Sequence, residues 1–69
     1  MITLEAHCRS GHYVASVVPM MDKRLRTEYH IVVFVHGHEV YQGTERSLEE
    51  AIHTAKAYLD WQTDQDLDS

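Results

Sequence analysis

Six histidines in a chain of 69 residues are the first candidates for chemistry. His36 and His38 flank Gly37, Glu39 follows, and His30 shares the parity of His36 on the same run. Zinc takes three or four N, S or O ligands in a tetrahedron. This set straddles a turn and has no standard ligand spacing. His7, Cys8 and His12 form a looser set around another turn. A histidine-based metal-binding module is therefore one alternative, and ordinary surface histidines account for the same residues.

Cys8 beside His7 suggests a nucleophile with its base. Neighbours on a strand point to opposite faces, which separates a thiolate from its imidazolium. A small buried hydrophobe suits Cys8 better. Gly11, Gly37 and Gly43 are isolated turn residues, not a phosphate-binding loop. With no Ser/His/Asp order and no paired catalytic carboxylates, neither an enzyme nor a cofactor is expected.

Binding is better supported. Lys23, Arg24 and Arg26 form the one basic cluster, with Met20, Met21 and Leu25 beside it. Arg and Met are enriched in the cores of protein interfaces, so 23–26 reads as a partner-binding loop or as a plain solvated one. A small nucleic-acid-binding protein using the same loop is a further alternative. The net charge of -5 opposes that use, because phosphate binding draws on Lys and Arg releasing counterions. A cellular or host protein is the expected partner, and nucleic acid is not.

The elements that must carry these residues follow from periodicity. Residues 2–8 alternate apolar and polar, the period of a half-buried strand. Residues 12–19 are rich in β-branched and aromatic side chains, and Pro19 is expected to end that strand or lie on an edge. Residues 20–27 are expected as a loop. The strongest strand is 28–36, Gly37-His38 suits a type II′ hairpin turn, and Glu39 to Gln42 pair back before Gly43-Thr44 leaves the sheet. Ser47-Leu48-Glu49-Glu50 is a capping box. From it a helix is expected over 48–62, with Leu48, Ala51, Ile52, Ala55, Tyr58, Leu59 and Gln62 on one stripe. The fold class is α+β, an antiparallel meander of about four strands and one C-terminal helix packed on one face. Residues 1–62 form a single domain and 63–69 an acidic flexible tail.

Strand 28–36 carries a surplus. Tyr29, Ile31, Val33 and Val35 occupy one parity, Val32 and Phe34 the other. Val14 and Val18 repeat this against Ala15 and Val17. One helix covers one face of a sheet, yet a solvated antiparallel face should be polar. Each large apolar side chain left in water forgoes roughly 1.5–3 kcal/mol of burial. A second copy is the simplest cover, which makes Val32 and Phe34 candidate interface residues of a homodimer. Crossing of the face by the N-terminal strand, or strong twist, is the alternative cover. Trp61 lies off the helix stripe and either is a third candidate contact or packs on the edge of its own domain.

No disulfide forms within a chain with a single cysteine. No signal-peptide pattern opens the sequence, and the longest apolar run, Ile31 to Val35, is far too short to span a bilayer. A cytoplasmic protein with no membrane partner is expected.

The stretch Gly11-His12-Tyr13-Val14-Ala15, with Val40-Tyr41-Gln42-Gly43-Thr44 and Ser47-Leu48-Glu49-Glu50-Ala51, resembles small bacterial and phage domains. In these, hairpins lead into such a helix start and the helix closes as Ala55-Lys56-Ala57-Tyr58-Leu59-Asp60 does. In size and acidity the chain is also similar to phage-encoded inhibitors of host proteins, such as anti-CRISPR proteins. That resemblance implies a non-catalytic phage or mobile-element inhibitor that occludes a host protein surface. It assigns no active site.

Overall fold

In the computed structural model, residues 1–68 are described, with side chains to Gln65. Four strands, β1 (Ile2–Cys8), β2 (Gly11–Met21), β3 (Thr27–Val35) and β4 (His38–Glu45), precede one helix, α1 (Leu48–Asp68). The strands form an antiparallel meander in the order β1-β2-β3-β4. This is the expected α+β architecture.

Alternation decides which face meets the helix. Tyr13, Ala15 and Val17 of β2 and Ile31 and Val33 of β3 are buried on one face, against Ala51, Ala55 and Leu59 of α1. Ile31, Val17 and Val33 are the largest fully buried side chains. Small residues at 51 and 55 let the helix axis approach the sheet closely. Ile2, Leu4, Ala6 and Cys8 of β1 and Tyr41 of β4 close the margins of this core. The N-cap forms as the capping box predicts, with the Glu50 amide donating to Ser47 Oγ at 3.1 Å. Glu49 and Glu50 in the first turn complement the helix dipole.

Five local expectations change. Val35 pairs with His38, so the β3–β4 turn is centred on His36-Gly37, not Gly37-His38. His36 at φ 53° and Gly37 at φ 77° make it type I′, whose twist matches the strands. β4 continues through Gly43 and Thr44, which pair with Ile31 and His30. Glycine suits position 43 because the Tyr41 ring lies over it; an added Cβ would sit 2.8 Å from Tyr41 Oη. β2 runs past Pro19 to Met21, taking both methionines out of the expected loop. The pairing of β1 with β2 reaches only Val17, so Pro19 lies where β2 is locally an edge. Leu48 is 39% exposed and off the buried stripe. The helix passes Gln62 and continues to Asp68, so 63–68 of the expected tail is helical; Ser69 and the side chains of 66–68 lie outside the described residues.

A β-bulge lies in the β3–β4 ladder. Val33 pairs with Tyr41 and Phe34 with Glu39, leaving Val40 as the extra residue. Strict alternation would put Glu39 and Tyr41 on one face. The bulge instead sends Tyr41 to the core and Glu39 to the opposite side. No helix among the described residues is long and apolar enough to cross a membrane.

Candidate functional site

The helix covers one face of the sheet, and the other face is the candidate site. The register arranges it in rows across the strands. Glu5, Val14, Phe34 and Glu39 form one row. Thr3, Ser16, Val32 and Gln42 form the next, and Val18, His30 and Thr44 the one after. Val14, Val18, Val32 and Phe34 therefore occupy the two central strands, with Ser16 and His30 among them, and polar side chains occupy the two edges. Phe34 is 37% exposed, while Val14, Val18 and Val32 are half-buried by their neighbours. No other described element packs over them. The N-terminal strand is β1 itself, paired at the sheet edge, and does not cross this face.

Polar groups close the ends of the face. His7 and His12 are directly opposite on the β1–β2 hairpin, and their rings stack at 4.1 Å with 6° between planes. His12 Nε2 lies 3.2 Å from Glu5 Oε1. At the other end His30 Nε2 stands 3.8 Å from Glu28 Oε2. His36 does not join His7 and His12. Its Nε2 reaches Ser10 O at 3.0 Å and ties the β3–β4 turn to the β1–β2 turn. Gly11 makes room for this ring: a Cβ there would stand 2.5 Å from His36 Nε2 and 2.8 Å from Val35 Cγ2.

Of the residues singled out in the sequence, Val32 and Phe34 lie side by side on the open face, with Val14 and Val18 alongside. Trp61 is in the other layer. It is 54% exposed and tilts against Tyr58 at 5.8 Å, and Tyr58 in turn stacks on Tyr41 at 5.1 Å. Burial, and after it the charge Tyr13 would carry, raise the Tyr58 phenol above its ordinary value. Lys23, Arg24 and Arg26 occupy the β2–β3 loop, at the end of the sheet away from His36. Asp22 shapes that loop: its Oδ1 accepts from the amides of Arg24 and Arg26 at 2.8 and 2.9 Å. All three basic side chains are exposed.

His7 and Cys8 do point to opposite faces. Cys8 Sγ is 3.5 Å from Thr63 Oγ1 on the helix side. Among the described residues, no group of three or more His, Cys, Asp or Glu side chains is placed to hold a metal ion. The sequence grouped His7 and His12 around one turn, and the structure adds that their rings stack. The signal for the stack was present, since the two residues are equidistant from the Arg9-Ser10 turn. A surface depression of ≈ 470 Å³ beside the start of α1 is lined by Glu45, Ser47, Glu49, Glu50, His53 and Thr54. It lies apart from the open face. Comparison with protein-family models, curated proteins and solved structures finds no match to this chain.

Proposed function

We propose that this chain is a small, non-catalytic protein-binding module whose open sheet face is the contact surface, and that it acts by occluding a surface of a host or cellular protein. One observation carries this proposal: a two-layer molecule presents Val14, Val18, Val32 and Phe34 together on an uncovered face. Burying such side chains contributes roughly 1.5–3 kcal/mol each when complete. An apolar centre with a polar rim is the usual anatomy of an interface. The exposed basic loop at 23–26 adds a second contact at the sheet's end.

Capture experiments with the wild type and Phe34→Asp as baits test this. A protein retained by the wild type and lost with Phe34→Asp is the expected result, with the variant's circular dichroism unchanged. Retention that is indifferent to Phe34→Asp, or no protein above background, overturns it.

A further inference from the structure

We infer that a second copy of this chain occupies the open face, docked sheet on sheet about a two-fold axis that crosses the strands along the row Thr3, Ser16, Val32 and Gln42. This rests on the open face being a contact surface and names a second copy as its occupant when no foreign protein is bound, the two competing for the same side chains. The product is a four-layer particle with helices outside and the two sheets facing each other.

A two-fold interface uses the same patch twice, so the patch must be complementary to itself. The row structure lets this be checked. An axis across the strands exchanges the rows on either side of Val32. Val14 then meets the partner's Val18, Phe34 meets the partner's His30, and Val32 meets the partner's Val32. Glu39 falls on the partner's Thr44, Glu5 on the start of the partner's β1, and His12 on the partner's Met20. Apolar groups thus meet apolar or aromatic groups, and no carboxylate of these rows meets another carboxylate.

The other face-to-face two-fold runs along the strands. It exchanges β1 with β4 and places Glu5 on the partner's Glu39, in the same row. Two like charges then meet at the margin of a desolvated surface, which costs affinity. The distribution of the remaining charge suits face-to-face pairing about either axis. Glu49, Glu50, Asp60, Asp64, Asp66 and Asp68, over half of the 11 acidic residues, belong to the helix. The helices lie on the outside of the pair, so the net charge of -5 per copy is carried largely away from the contact.

The area is sufficient. Four strands about 4.8 Å apart, each contributing roughly eight residues at about 3.4 Å, give a face of roughly 500 Å² counted flat. Two copies bury about 1,000 Å² before side-chain relief is added, the threshold for a specific interface. Sheets that pack face to face keep strand directions within about 30°, so residues of the axial row stay close to their own copies.

Light scattering gives the first result, and symmetry-dependent cross-linking the second. Wild type is expected at twice its 8.0 kDa mass. Phe34→Asp is expected to raise the dimer dissociation constant about 30-fold or more, the weight of a hot-spot residue. In a Cys8→Ser background, Thr3→Cys and Gln42→Cys place one exposed thiol at each end of the axial row. Each is expected to couple to its own kind through a short bis-maleimide, and not when Phe34→Asp is added.

A wild type that stays monomeric from micromolar to millimolar concentration overturns the inference. So does cross-linking only between Thr3→Cys and Gln42→Cys in a mixture, which requires the axis along the strands. A monomer that still captures a foreign protein in a Phe34-dependent way overturns self-association alone. A dimer that forms as described, in a protein that captures nothing, leaves this inference standing and removes the occluding role.

Discussion

Gly11→Ala should be among the most costly single-methyl additions to this protein. Gly11 sits at φ +146°, a conformation L side chains rarely adopt. Its missing Cβ is also the space filled by His36, whose Nε2 and Cε1 would lie 2.5 and 3.0 Å from the new methyl, with Val35 Cγ2 at 2.8 Å. Backbone strain of this kind costs about 1–3 kcal/mol. Expelling the His36 ring also breaks its hydrogen bond to Ser10 O, worth roughly 0.5–1.5 kcal/mol and here near the lower end because the ring is exposed. Together the loss is about 2–4 kcal/mol. In a domain of this size that corresponds to a fall in Tm of roughly 10–25 °C. Urea denaturation followed by circular dichroism measures it. The same substitution in a His36→Ala background removes the closest contacts and leaves the backbone strain and Val35, so the cost there should drop to about 1–3 kcal/mol. A loss below about 1 kcal/mol, or an identical loss in both backgrounds, would refute the account of Gly11 as the space for His36.

Two further outcomes follow from burial. Ile31→Ala, at a fully buried position between sheet and helix, should cost about 2–5 kcal/mol; Phe34→Ala, on the open face, should cost the isolated monomer clearly less, and denaturation of both at micromolar concentration gives the ratio. Tyr58 should make stability fall at alkaline pH. Its phenol is raised in the folded state, first by burial and then by Tyr13, so the unfolded chain releases that proton first. The associated stability is fully present below the ordinary tyrosine range near 10 and is lost as pH rises through the folded value. Tyr58→Phe should flatten that decline in a pH series of urea melts.

Most of the fold could be read from the chain because the signals were local. Alternation at 2–8, the β-branched run from 13 to 18, the doubly apolar strand at 28–36 and the Ser47 to Glu50 capping box each depend on near neighbours. Each reappears as an element in its expected place. The candidate face was equally legible, since Val32 and Phe34 are the wrong parity for the helix-facing core and side-chain period in a strand is fixed at two. Trp61 was read correctly as off the stripe. That it rests on Tyr58, in the layer away from Phe34, depends on which face the helix takes.

What only the tertiary structure decided are the places where distant residues set the local choice. His36-Gly37 became the turn instead of Gly37-His38 because the register with β2 and β4 fixes the pair at Val35 and His38. Gly43 looked like a breaker and is a strand residue, and glycine suits it there because the Tyr41 ring lies where a Cβ would be. Val40 became a bulge, and with it Tyr41 and Glu39 went to opposite faces, which alternation along the sequence cannot express. Gly11 marked a turn in the sequence, whereas its packing role comes from a histidine 25 positions away. Local propensity is a property of neighbours along the chain; registers, bulges and shared space are properties of neighbours across it.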